Sequence, residues 1–159
     1  KKKIIAITSE KNMQFVSEIK FYDTVLSYDN AEENLKISKS VIVDFAGNSD
    51  YLKKLSDHLA DGLKHVSLIG LADWSSKTNF KSIPNSKFFF APNHAEKRYR
   101  EMGVKRTTLL ADELLKEFIM KVKNYIKLEY CNDPKDIHKL YLKSLKGKID
   151  PRKGYMVKN

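Results

Sequence analysis

Short runs of aliphatic residues, each followed by a polar break and then by apolar residues at helical spacing, constrain this chain more than any other feature. Ile4-Ile5-Ala6-Ile7 is apolar at every position, the pattern of a strand covered on both faces, as in parallel sheets. Thr8-Ser9-Glu10-Lys11-Asn12 then turns polar and can cap a helix, on which Met13, Phe15, Val16 and Ile19 share one face. Asp23–Tyr28 reads as a second strand, Asp29–Lys39 as a loop or short helix, and Val41–Phe45 as a third strand ending at Ala46-Gly47-Asn48. From Ser49 the spacing predicts a helix with Tyr51, Leu52, Leu55 and Leu59 on one side and Gly62 as its terminator. His65–Gly70 and Phe88–Phe90 are the fourth and fifth strands, and the polar stretch Trp74–Ser86 between them is long enough for a functional loop.

The rest of the chain reads mainly as helix. A basic helix runs from Asn93 or His94 to about Met102 and is ended by Gly103. Thr107 or Thr108 caps the longest helix, striped by Leu110, Leu114, Phe118, Val122 and Tyr125. Asp112 and Glu113 fall in its first turn and Lys121, Lys123 and Lys127 near its end, which suits the helix dipole. Asp136–Ser144 is a short helix, Lys146–Pro151 a turn, and Tyr155–Val157 the last strand. Strands alternating with helices predict an α/β fold with a mostly parallel sheet flanked by helices. Ligands of such folds sit at the carboxyl ends of the strands.

Composition narrows the classes. The 159 residues match one domain, and a hydrophobic share of 42% is enough for a core. No apolar run approaches the roughly 18 residues of a membrane span, and no signal peptide is visible. A single cysteine, Cys131, excludes an internal disulfide or a Cys-rich zinc cage within these residues and reads as a structural thiol near a helix end. The default compartment is the cytoplasm. The chain opens Lys1-Lys2-Lys3 without an initiator methionine, as a trimmed protein or a fragment would. The net charge of +10 suggests a polyanion. However, only four of the thirty basic residues are arginine, the fork that phosphate and guanine contacts favour. The balance is weak support for nucleic acid.

Three segments at strand ends are candidate binding elements. In dinucleotide folds the residue closing the second strand meets the adenosine ribose, where an acid selects NAD and small polar or basic groups admit the 2′-phosphate of NADP. Ser9, Lys11 and Asn12 suit the phosphate, whereas Glu10, if its side chain faces the ribose, would bond the 2′-hydroxyl and repel the phosphate; a plain helix cap with solvated charges is the competing account and, on spacing alone, the better one. Asp44-Phe45-Ala46-Gly47-Asn48 offers a small residue and a glycine for close backbone approach, or a tight turn with positive φ. Gly70 and Leu71 carry the same ambiguity. His58, His65, His94 and His138 lack metal-ligand spacing, and no His-Glu-x-x-His, Gly-x-Ser-x-Gly, Gly-x-Gly-x-x-Gly or P-loop occurs. Lys97-Arg98-Tyr99-Arg100 with Lys105-Arg106 is the densest basic cluster, diluted by Glu96 and Glu101.

Ile5–Asn12, Phe15-Val16, Phe21–Asp29, Val43–Asn48, Phe88-Phe89-Phe90-Ala91-Pro92 with Lys97-Arg98, and Gly147–Pro151 with Gly154 together are more specific. The chain resembles, over nearly its whole length, the C-terminal part of a domain-of-unknown-function family related to quinone-oxidoreductase-like medium-chain dehydrogenases/reductases. The resemblance implies a Rossmann-like domain entered at its second strand, with the first strand, a phosphate loop and a GroES-like substrate domain lying upstream in relatives. It divides the chain into a partial NAD(P)-binding domain, 1–146, and a C-terminal turn and strand, 147–159, that would return to the absent substrate domain.

The reading that follows is the cofactor portion of a zinc-independent, NADP-dependent reductase of a quinone, alkene or carbonyl, inactive as this piece, with no catalytic residue named. Ser9, Lys11 and Asn12 would hold the 2′-phosphate. Ala46, Gly47 and Asn48 would line the nicotinamide side, and Gly70 and Leu71 the nicotinamide ribose. The parent would take a small-molecule substrate, with no membrane partner. The alternative is a non-catalytic binding module, a degenerate Rossmann domain or a weak nucleic-acid binder through Lys97–Arg106. In the order 3-2-1-4-5-6 the missing first strand is central. Ile4–Thr8 and Val41–Phe45 are therefore expected to re-pair directly, to self-associate through exposed edges, or to be held by an upstream piece.

Overall fold

The computed structural model describes residues 2–36, 38–70 and 83–157. Its strands are β1 (Ile5–Thr8), β2 (Thr24–Ser27), β3 (Ser40–Asp44), β4 (Leu63–Leu68), β5 (Ser86–Phe88), β6 (Lys127–Cys131) and β7 (Lys153–Val157). The helices are α1 (Glu10–Glu18), α2 (Ala31–Asn34), α3 (Ser49–Leu59), α4 (Ala91–Met102), α5 (Val104–Val122) and α6 (Pro134–Leu145). Every strand pair is parallel, as the uninterrupted apolar runs of β1 and β3 predict. The strands form three small sheets, β1-β2, β3-β4-β5 and β6-β7. The chain is a Rossmann-like α/β protein with short parallel sheets flanked by helices.

Burial is concentrated on one face of the middle sheet. Leu52, Leu55 and Leu59, spaced along one side of α3, pack on Val66 and Leu68 of β4, on Leu63 and on Ile83. Ile7 of β1 and Ile42 of β3 pack against the same cluster. The α3 spacing is that of an amphipathic helix, and the helix begins where Asn48 accepts the Tyr51 backbone N–H at 3.0 Å. Two further contacts fasten α3 to the α2 segment. Lys54 pairs with Glu32 at 2.8 Å, and His58 Nε2 lies 3.0 Å from the Leu35 carbonyl oxygen.

Several boundaries depart from the sequence expectations. The longest helix starts at Val104 directly after Gly103, so Thr107 is no cap; its hydroxyl donates back to the Gly103 carbonyl at 2.9 Å. Asp112 and Glu113 accordingly lie in mid-helix rather than in its first turn. Lys127 and Cys131 open and close β6 instead of ending that helix, because Lys127–Cys131 finds β7 as a parallel partner. A helix-like continuation of the α5 stripe hid this strand. The fifth strand is Ser86–Phe88 and α4 begins at Ala91, with Pro92 in its first turn where a missing N–H costs nothing. The 147–152 turn lies against α1, with the Arg152 guanidinium 5.4 Å over the Phe15 ring and 3.3 Å from Glu18.

Candidate functional site

The carboxyl ends of β1, β2, β3 and β4 carry the polar groups from which a site can be built. Ser9 follows β1 and stands at the start of α1, where its side chain makes no capping hydrogen bond and its carbonyl accepts the Asn12 N–H at 2.8 Å. Lys11 and Asn12 lie in the first turn of α1, and Lys11 Nζ donates to the Gly147 carbonyl at 3.4 Å. Ser9, Lys11 and Asn12 are thus brought together, with no acidic side chain at the last position of β1.

The β3 end folds onto itself. The Asp44 carboxylate accepts the backbone N–H of Ala46 at 3.1 Å and of Gly47 at 3.0 Å. This is the local turn that an Asp two and three residues ahead of free amides forms readily. Gly47 takes φ 77°, a left-handed conformation that requires a residue without Cβ strain. The amides of Ala46 and Gly47 and the carboxamide oxygen of Asn48 are therefore engaged within the chain. Gly70 donates to the Asp44 carbonyl at 3.2 Å, and a Cβ on it would lie 1.9 Å from the Phe45 carbonyl oxygen. The close approach that its glycine permits is of β4's end to β3's end. Leu71 lies outside the described residues.

Electrostatics single out side chains that motif reading passed over. Burial pushes the Asp44 carboxyl above its ordinary range, against the lowering effect of its two amide donors. Burial, then the negative charge of Asp44, raises Tyr28, which follows β2. Tyr51 is pushed up to about 12, by burial first and then by Glu32, Tyr28 and Asp29. The rings of Tyr28 and Tyr51 meet edge to face at 4.9 Å. Asp44 could have been found from its spacing to Gly47; the tyrosine pair joins the residue after β2 to the first turn of α3 and has no local signal.

Other features lie apart from these strand ends. An open concavity of about 790 Å³ lies at the amino end of β4, lined by Ser56, Asp61, Lys64 and Asn85 among others. On α4, Lys97 and Arg98 both pair with Glu101, and Arg100 pairs with Glu96. Among the described residues, no three His, Cys, Asp or Glu side chains gather where they could hold a metal ion, and no helix is long and apolar enough to cross a membrane.

A family model described as "Protein of unknown function (DUF2855)" matches residues 1–150. No curated protein and no solved structure matches the chain.

Proposed function

We propose, on the premise that the chain belongs to the family of proteins of unknown function DUF2855, that it is the cofactor-side portion of an NADP-dependent oxidoreductase akin to the quinone-oxidoreductase-like reductases. The observation that carries this reading is the end of β1. A parallel strand closes on Thr8, and a helix begins immediately with Ser9 beside it and Lys11 and Asn12 in its first turn. A 2′-phosphate carries about two negative charges near neutral pH, so the ribose end of its site must supply donors, positive charge and a helix N-terminus. Ser9 supplies a hydroxyl unused in capping, Asn12 an amide and Lys11 a cation. The fit is confined to this end. Ala46, Gly47 and Asn48 spend their turn donors and acceptor internally, and the described residues include no glycine-rich cradle for the pyrophosphate. On this reading the bound cofactor would supply hydride to a small activated alkene, quinone or carbonyl, and the chain's contribution is to recognise the adenosine half.

Lys11→Asp tests the reading in the protein as it occurs with its cofactor site complete. An ion pair of this kind is worth about 1–3 kcal/mol, so NADPH affinity should fall about ten- to a hundredfold. NADH affinity should stay nearly unchanged. Equal losses for both cofactors, or none for NADPH, would remove Lys11 from the phosphate and the reading with it.

A further inference from the structure

Helix α5 carries an apolar seam that the described residues leave uncovered. Val104, Thr108, Ala111, Leu115, Phe118 and Val122 recur at alternating steps of four and three residues over its full length, and Leu114 and Ile119 border them. In α3 the comparable spacing of Leu52, Leu55 and Leu59 is buried against the middle sheet. In α5 no residue is buried. Leu114 is 66% exposed, Leu115 55% and Phe118 52%, although Phe21 stacks on the Phe118 ring at 6.0 Å. Helix α4 meets the first turn of α5, where the Thr107 hydroxyl donates to the Arg98 carbonyl at 3.3 Å. A protein helix draws most of its stability from packing its apolar face, so this seam calls for an occupant.

The pattern is complementary to itself. Let two copies of α5 pair antiparallel about a twofold axis at the middle of the helix. Val104 then meets the partner's Val122, Thr108 the partner's Phe118 and Ala111 the partner's Leu115, and the second half of the helix repeats the first. The large Phe118 and Leu115 thus face the small Thr108 and Ala111, which fills the seam evenly. A parallel pair would set Phe118 against Phe118, leave Ala111 opposite Ala111 and align the two helix dipoles, which the antiparallel pair opposes. Leu114 and its symmetry mate close one side of the axis, and Asp112 and its mate stand on the other. The exposed side chains leave about 600 Å² open on each copy, so the pair would bury about 1,200 Å², the lower bound of a stable specific interface. A lipid surface fits less well, because Asp112 and Glu117 flank the seam where a membrane-bound helix carries lysine and arginine.

We propose that α5 is a self-association surface, its seam docking antiparallel on the α5 seam of a second copy of this chain, with the twofold axis between Asp112 and Leu114. The contact is made by a helix and not by the edges of Ile4–Thr8 and Val41–Phe45, which do not pair with each other. It is isologous, so the same patch serves both copies. Asp112 meets its own charge across the axis, which weakens the pair and marks its register. The inference does not depend on the cofactor reading, because it uses none of the residues of that site.

Sedimentation velocity on the 159-residue chain, from about 1 to about 200 μM, tests the association. The chain should pass from monomer toward dimer over this range. Leu114→Glu changes a side chain too exposed to hold the fold and should weaken the dimer at least tenfold, since it sets a charge in the seam. The register is tested by mixing wild type with Asp112→Lys, one of them ¹⁵N-labelled, and weighing the dimers by native mass spectrometry. Opposite charges across the axis should raise the mixed dimer well above the half share expected at random. A dimer that Leu114→Glu leaves intact, or a random share of mixed dimer, would overturn the proposal. So would a chain that stays monomeric throughout, and a monomer that pellets with anionic vesicles would assign the seam to lipid instead.

Discussion

Replacing Asp44 by alanine should destabilise the chain more than any other single polar substitution at the strand ends. Asp44 is 9% exposed, and its carboxylate holds two backbone amides, at 3.1 and 3.0 Å, across a turn that places Gly47 at φ 77°. A hydrogen bond to a charged group contributes about 1.5–3 kcal/mol. Burial of the charge, the largest influence on this carboxyl, offsets part of the pair, leaving a net loss of about 2–3 kcal/mol on mutation. In urea, with a slope of about 2 kcal/mol/M, the midpoint should move down by about 1–1.5 M without a change of slope. The pH dependence has a definite sign. Because the folded chain holds the Asp44 carboxyl above its ordinary 3.8, it binds that proton more tightly than the unfolded chain does. Asp44 therefore contributes more stability as pH falls through the raised folded value toward 3.8, and less, to a constant level, above it. The gap between wild type and Asp44→Ala should widen on acidification from neutral pH. Asp44→Asn, which keeps one acceptor, should fall between the two with no such widening. A midpoint shift below about 0.3 M, or a gap that narrows on acidification, would refute the reasoning.

Two further outcomes follow from the same geometry. Gly70→Ala should fail to accumulate as folded protein or unfold at markedly lower temperature, since its Cβ would sit 1.9 Å from a backbone oxygen; circular dichroism melts check this, and an unchanged melt would mean that the β3 and β4 ends are farther apart. Binding of single-stranded or duplex DNA should be weak and vanish at physiological salt, because three basic residues of α4 are already paired with Glu96 and Glu101; a complex that survives such salt, with a steep salt slope, would contradict this.

Periodicity made most of the elements legible. Ile4–Ile7 and Val41–Val43 read as parallel strands because nothing polar interrupts them, but cover on both faces does not hold for β3, where Val41 and Val43 are exposed; the Leu52, Leu55, Leu59 stripe specified the buried side of α3. Lys127–Cys131 was illegible for a physical reason: its pattern continues the α5 stripe, and only the distant Lys153–Val157 gives it a ladder. The α5 stripe is also less buried than its spacing implies, with Leu114 and Phe118 exposed and Phe118 stacked 6.0 Å from Phe21. At the candidate site the glycine and its turn were visible in Asp44–Asn48, since both are local. The Tyr28–Tyr51 contact depends on how α3 lies beside the end of β2, which no spacing records.

The most direct test of the cofactor reading is a backbone amide chemical-shift titration of the ¹⁵N-labelled chain with NADPH, which locates even weak binding. The account predicts saturable shifts at Ser9–Asn12, larger than those given by NADH. Shifts confined to the concavity around Ser56, Asp61, Lys64 and Asn85, or none at Ser9–Asn12 at millimolar cofactor, would contradict it.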